Sequence, residues 1–381
     1  MIQTWAMVVD AYRELNSKRL FWIVLILSGL IVAVFAALGI NEGGVTILIW
    51  ETGLPPTTEM VSRDVFYKGM FMGFGFQFWL SWLATILALV STAGMFVDLV
   101  SSGSIELVLS KPIGRLRLFL TKYFAGLLFV TAQVAVFSLA AFLVLGLRGG
   151  TWEPGLFWGV PLVVIFFSYL FCVCVLLGVV TRSTVASLLM TLLVWLLIFG
   201  LHAGETGFLF GKETSTARVA AIEREIEGLE ASLAPTQTDP DRSITDGVRD
   251  HFSRAWREQK LAHRREQLPK ARERRVFWTR LHTIAYGVKT VLPKTSETIG
   301  LLERRLIEDA DLEALAETTE DAPAWQTGSA TDDVRVDQQE VQRRMMEETR
   351  DRSAWWVVGT SLLFEIAVLG LAAWIFCRRD F

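Results

Sequence analysis

Six long apolar runs constrain this chain more than anything else in it. They cover residues 20–40, 74–97, 119–145, 157–180, 184–201 and 355–377. A helix needs about 20 mostly apolar residues to cross the ~30 Å hydrocarbon core of a bilayer. Each run is therefore read as a transmembrane helix. The first is longer than a signal-peptide core, and Gly39, Ile40, Asn41 and Glu42 follow it without a small-residue cleavage pattern. It is read as a retained span.

Between the fifth and sixth runs the character changes. Residues 202–354 hold 24 of the 37 Lys and Arg and 29 of the 40 Asp and Glu. The expected fold is an all-α membrane protein with four parts. These are an N-terminal interfacial segment (1–19), five spans (20–201), a large helical insertion (202–354), and a sixth span with a short tail (355–381). A formal net charge of −3 gives no general affinity for nucleic acid. Cys172, Cys174 and Cys377 all lie in apolar runs. They are too few for a secreted disulfide framework and are read as packing residues.

Cations in the short loops set the orientation. With the N-terminus cytoplasmic, the inside segments carry Arg13, Lys18, Arg19, Lys111, Arg115, Arg117, Arg182, Arg378 and Arg379. The short outside loops carry only Arg63, Lys68 and Arg148. This bias puts both termini in the cytoplasm and 202–354 outside it, the long insertion being exempt from the charge rule. Ile2, Trp5, Val9 and Tyr12 recur at helical spacing, so 2–15 reads as an amphipathic helix in the headgroup plane.

The insertion reads as helical hairpins. Val219, Ile222, Ile226, Leu229 and Leu233 follow the 3, 4 alternation of a coiled-coil seam. Phe277, Leu281, Ile284, Val288 and Val291 repeat it, and a charged helix is expected over 244–268. Glu297 after Ser296 suits a helix start, and 310–333 is acidic and turn-rich. A last helix from about 335 should run straight into the sixth span, with Val341 and Met345 on the face that meets the first seam. The basic run 254–275 reads as a solvated face, with an anion- or headgroup-binding patch as the alternative.

Catalytic motifs are missing. No HExxH, GxSxG or CxxC occurs, and Gly207 to Gly211-Lys212-Glu213 lacks the spacing and hydroxyl of a phosphate loop. His202, His251, His263 and His282 have no ligand-like spacing beyond a loose His251/His263 pair. The chain is read as a non-enzyme that binds no cofactor itself. One carboxylate, Glu365, sits in the middle of the sixth span. It costs about 3 kcal/mol there and must find a partner. Gln133 or Ser138 of the third span is the expected hydrogen-bonding partner, with a functional role as the alternative.

Between the second and third spans, Ser104 caps a short helix and Glu106 suits its positive end. Pro112 stops it near Ser110. Ile105, Val108 and Leu109 then offer an apolar face for a cytoplasmic partner. Gly103-Ser104-Ile105-Glu106-Leu107, Leu109-Ser110-Lys111-Pro112-Ile113, Arg115 and Lys122 resemble the signature segment of ABC-2 type permease subunits of ATP-binding-cassette transporters. The interfacial helix, the six spans, Leu292-Pro293-Lys294-Thr295 and the ending Arg378-Arg379-Asp380-Phe381 are similar to that family too. The likeness covers about 1–205 and 285–381, and the insertion is far larger than the family's usual outer loop.

The resemblance implies that Ser104, Ile105, Glu106, Leu107, Val108, Leu109, Ser110, Lys111 and Pro112 form or border the helix that couples to a separate cytoplasmic ATPase. ATP and Mg²⁺ would sit on that partner. It also implies a second permease subunit and a multi-pass place in a bacterial-type plasma (inner) membrane. Two functions follow: ATP-driven movement of a substrate, or mechanical action of the insertion on an extracytoplasmic protein, such as a metalloenzyme in maturation. A secondary carrier using Glu365 as a proton site lacks a visible inverted repeat. Cysteines replacing Ser243 and Ser329 should react with an impermeant thiol reagent in intact cells, given outer-membrane access. Labelling only after lysis would reverse the orientation.

Overall fold

The computed structural model describes residues 19–48, 50–51, 53, 57–58, 61–101, 114–234, 244–306 and 338–378. About 89% of these are helical. Five helices are long and apolar enough to cross a membrane: Val65–Val100, Arg115–Gly149, Pro154–Thr181, Thr184–Leu233 and Ala354–Arg378. This is an all-α membrane protein. The interfacial helix 2–15, the coupling segment 104–112, the acidic stretch 310–333 and the tail after Arg378 lie outside the described residues.

The chain divides into two units. The first contains described residues up to Phe199, those from Val291 to Leu306, and those from Ala354 on. Helix α1 (Arg19–Ala37) opens it. Its apolar part, Phe21–Ala37, is shorter than the other five. The run was expected to stay helical to residue 40, but Leu38–Asn41 (β1) leaves the helix to pair with Gly44–Ile47 (β2). Asn41 secures the turn: its Oδ1 accepts from the Gly43 N–H at 3.0 Å, and its Nδ2 donates to Glu51 at 2.6 Å. Trp50–Glu51 (β3) completes the small antiparallel sheet.

The second span begins as α2 (Arg63–Met70) and passes through a π-helical stretch, Phe71–Ala84, into α3 (Thr85–Ser101). Hydroxyls fit the wider winding, since Ser81 and Thr85 donate to carbonyls five residues back, Phe76 and Leu80, both at 2.8 Å. Helix α4 (Arg115–Val144) is the third span and α5 (Gly159–Thr181) the fourth. Every residue of α5 from Phe166 to Val175 is buried, so this helix is the axis of the core. Gly126 of α4 lets Phe171 of α5 approach closely, because a Cβ there would lie 2.9 Å from its ring. The neighbouring Tyr123 stacks on the same ring at 5.1 Å.

Helix α6 (Thr184–Leu233) carries the fifth run and continues for 50 residues without a break. Helix α8 (Thr295–Leu306) lies in sequence within 202–354, yet Ile299 and Leu302 belong to the core of the first unit. Helix α10 (Ala354–Arg378) is the last span.

The second unit contains described residues of 200–290 and 324–353. Its elements are the distal part of α6, helix α7 (Ile244–Val291) and helix α9 (Gln338–Arg350). The two helices expected over 244–268 and 277–291 are one, with Pro269 inside it. Conversely, α9 does not run straight into the last span: residues 351–353 interrupt it. The seam begun by Val219 and Ile222 packs on Ala271 and Leu268 of α7, with Ile226 beside them. Helix α9, the partner expected from sequence, meets α6 through an ion pair, Lys212 to Glu348 at 2.8 Å.

Candidate functional site

Two buried polar groups of the first unit share one face of α10. Ser361 and Glu365 are a turn apart and both buried. Tyr123 Oη of α4 donates to Glu365 Oε1 at 2.9 Å, and Ser168 Oγ of α5 donates to Oε2 at 2.7 Å. One carboxyl group thus ties three apolar helices together. The partners expected from sequence were different. Gln133 and Ser138 are buried on the same helix as Tyr123, but Gln133 Nε2 and Ser138 Oγ have no hydrogen-bond partner among the described residues. Gln133 instead lines a small cavity with Val24, Ser28, Leu80 and Thr85.

Lys294 is a functional-type residue that sequence reasoning noted only as part of a motif. It is fully buried. Its Nζ donates to Thr360 Oγ1 at 2.5 Å and stands 4.1 Å from the centre of the Trp356 ring. Its backbone N–H donates to Ser361 Oγ at 2.9 Å. The Leu292-Pro293-Lys294-Thr295 stretch is therefore bolted to the first turns of α10. The signal was present in the sequence as a lysine that follows the apolar Val291, Leu292 and Pro293.

The second unit has its own buried charge centre, on Glu205 of α6. Lys289 Nζ of α7 donates to its Oε2 at 2.6 Å. Arg352, just after α9, donates to Oε1 at 2.6 Å, and His282 Nε2 lies 3.2 Å from the same oxygen. Nothing in the sequence linked these four positions, because they come from three separate segments. Farther along, most of the basic run is exposed, as a solvated face would be, and several of its cations are ion-paired with α6. Lys260 and Arg264 grip Glu225 at 2.6 and 2.8 Å. Arg265 pairs with Glu230, and Arg272 with Glu223, both at 2.7 Å. Burial alone would raise the Glu225 pKa, but Lys260 and Arg264 outweigh it and hold the carboxyl below its ordinary value.

These clusters can fasten helices and accept or hold protons. Among the described residues, no group of three or more His, Cys, Asp or Glu is placed to hold a metal ion. The proposed coupling residues, Ser104 to Pro112, lie outside the described residues. Comparison with protein-family models, with curated proteins and with solved structures finds no match to this chain.

Removing the acceptor shared by Lys289 and Arg352 should be expensive, since breaking a buried ion pair costs about 3–5 kcal/mol. Glu205→Ala should lower the unfolding temperature of the purified full chain markedly. Glu205→Ala with Lys289→Ala should recover part of the loss. A single variant as stable as the parent would show that the cluster does not hold these segments.

Proposed function

We propose that the chain is a permease subunit of the ABC-2 type. It would move a substrate across the plasma (inner) membrane, driven by ATP hydrolysis on a separate cytoplasmic ATPase. The feature that carries this reading is the sequence of 103–115, whose residues suit a short capped helix between the second and third spans. The five long apolar helices, with α1 as the first of six spans, support it as a membrane body. In this reading both termini are cytoplasmic, two permease subunits assemble, and ATP and Mg²⁺ sit on the partner. The chain itself catalyses nothing.

One observation favours a second reading, in which ATP turnover moves the insertion against an extracytoplasmic protein without transport. Helix α6 continues from the fifth apolar run into the polar insertion with no break in its hydrogen bonding. A helix that long can transmit displacement of its membrane end to its outer end.

Both readings need the same contact with the ATPase. Glu106→Arg reverses a charge at a helix N-terminus, and Leu109→Asp puts a charge on the apolar face. Each should abolish copurification of the ATPase, or uncouple its hydrolysis, while the chain still inserts. Normal assembly and normal activity in both variants would refute the coupling role of 104–110.

A further inference from the structure

The membrane-proximal part of the second unit is inside out for a protein in water. From Gly200 to Gly211 of α6, the only charged residue is Glu205, and it is buried. The exposed side chains there include Leu201 and Phe210. Thr206, also exposed, donates its hydroxyl to the His202 carbonyl at 3.0 Å. From Leu281 to Thr290 of α7, the only basic residues are His282 and Lys289, again both buried, and there is no acidic one. Ile284 is 65% exposed and Val288 45%, and just before them Phe277 is 56% exposed. The hydroxyls of Thr283 and Thr290 donate to the carbonyls of Thr279 and Tyr286. The apolar seam of α7 expected from sequence is therefore real, but it faces outward. The ionic face is the one turned in.

Water selects the opposite arrangement, in which apolar stripes are covered and charges solvated. Hydrocarbon selects this one, since every polar group must be satisfied within the protein. We infer that the α6–α7 pair continues into the bilayer, so that residues 200–211 and 281–290 lie in one leaflet, on the side from which the insertion projects. The boundary on the two helices agrees. Gly211 lies level with Trp278, whose ring a Cβ at that position would meet at 2.6 Å. Beyond that level the surface becomes charged, with Arg272 and Arg274 exposed on α7, while Arg280 is exposed two residues to the membrane side of Trp278. Ten residues, 281–290, rise about 15 Å at 1.5 Å per residue, half of the ~30 Å hydrocarbon core. Trp278 then falls at the depth where indoles concentrate, Arg274 at the depth of the lipid phosphates, and Arg280 within reach of them through its long side chain. Helix α9 does not share this surface, for Glu347 is exposed on it, and Asp351 just after it.

Charge argues against a second copy of the chain as the cover. Arg274 stands in line with Phe277, Leu281, Ile284 and Val288 at helical spacing. Two copies related by an axis normal to the membrane would bring their α7 helices together in parallel. Each Arg274 would then face its own copy, whereas a lipid phosphate offers the complementary charge.

Single cysteines replacing Ile284, Val288 and Phe277, in a Cys377→Ser background, would carry a nitroxide label on the full chain in phospholipid vesicles. Collision with oxygen and with a water-soluble nickel chelate then reports the surroundings of each label. Glu266→Cys, at a side chain 73% exposed on the polar part of α7, is the aqueous reference. Leu193→Cys, on the apolar part of α6, is the lipid reference. The expected result at Ile284 and Val288 is nickel access several-fold below that at Glu266 and oxygen access like that at Leu193. Phe277, nearer the boundary, should fall between the references. Nickel access equal to that at Glu266 would overturn the inference. So would exclusion of both reagents with spin–spin broadening, which would assign the face to a second copy. If one variant fails to fold, the other two positions give the same reading.

Discussion

A carboxylate removed from water needs donors around it, and in this chain the buried acidic groups are where helices meet. Glu365 gathers α4, α5 and α10 through Tyr123 and Ser168. Glu205 gathers α6, α7 and the residues after α9 through His282, Lys289 and Arg352. Apolar contact alone does little to orient helices whose other faces meet lipid tails just as apolar. A hydrogen-bonded carboxyl, by contrast, fixes rotation and depth at once. The aromatic packing around Phe171 and the tight passage at Gly126 can then be specific, because α4 and α5 are already held in register.

The apolar runs were legible because membrane length is a one-dimensional property. Runs three, four and six match helices within a few residues, whereas runs two and five are parts of longer helices. The places where sequence failed are those decided by pairing partners elsewhere in the chain, near or far. Leu38 to Asn41 read as the end of a span, but a strand partner at Gly44 to Ile47 takes them instead. The periodicity of Phe277, Leu281, Ile284 and Val288 gave a correct face but the wrong environment for it. Hydropathy records that a stripe is apolar, not whether protein or lipid covers it. The basic run was underdetermined for the same reason, since its glutamate partners lie on α6, some 35–49 residues earlier. For the site, Glu365 stood out because a charge in an apolar run is conspicuous. Its donors did not, since a Tyr and a Ser in a span are ordinary. Glu205, just past the end of the fifth run, drew no attention, and Lys294 was noted only within a motif.

In the proposed reading, these fastenings have a mechanical use. Displacement delivered at the cytoplasmic side would pass through α5 and α10 by way of Glu365. It would pass along α6 by helix continuity alone. The ion-pair ladder between α6 and α7 would keep the outer part of the insertion from bending independently.

The central claim is that buried polar contacts, more than apolar packing, fix these helices against one another. A double-mutant cycle tests it directly. The stabilities of Tyr123→Phe, Glu365→Gln and the double variant would be measured by reversible unfolding of the full chain in mixed micelles. The account predicts a coupling energy within about 0.5–3 kcal/mol, as found for residues in one network. Effects that add to within about 0.3–0.5 kcal/mol, as for independent sites, would contradict it.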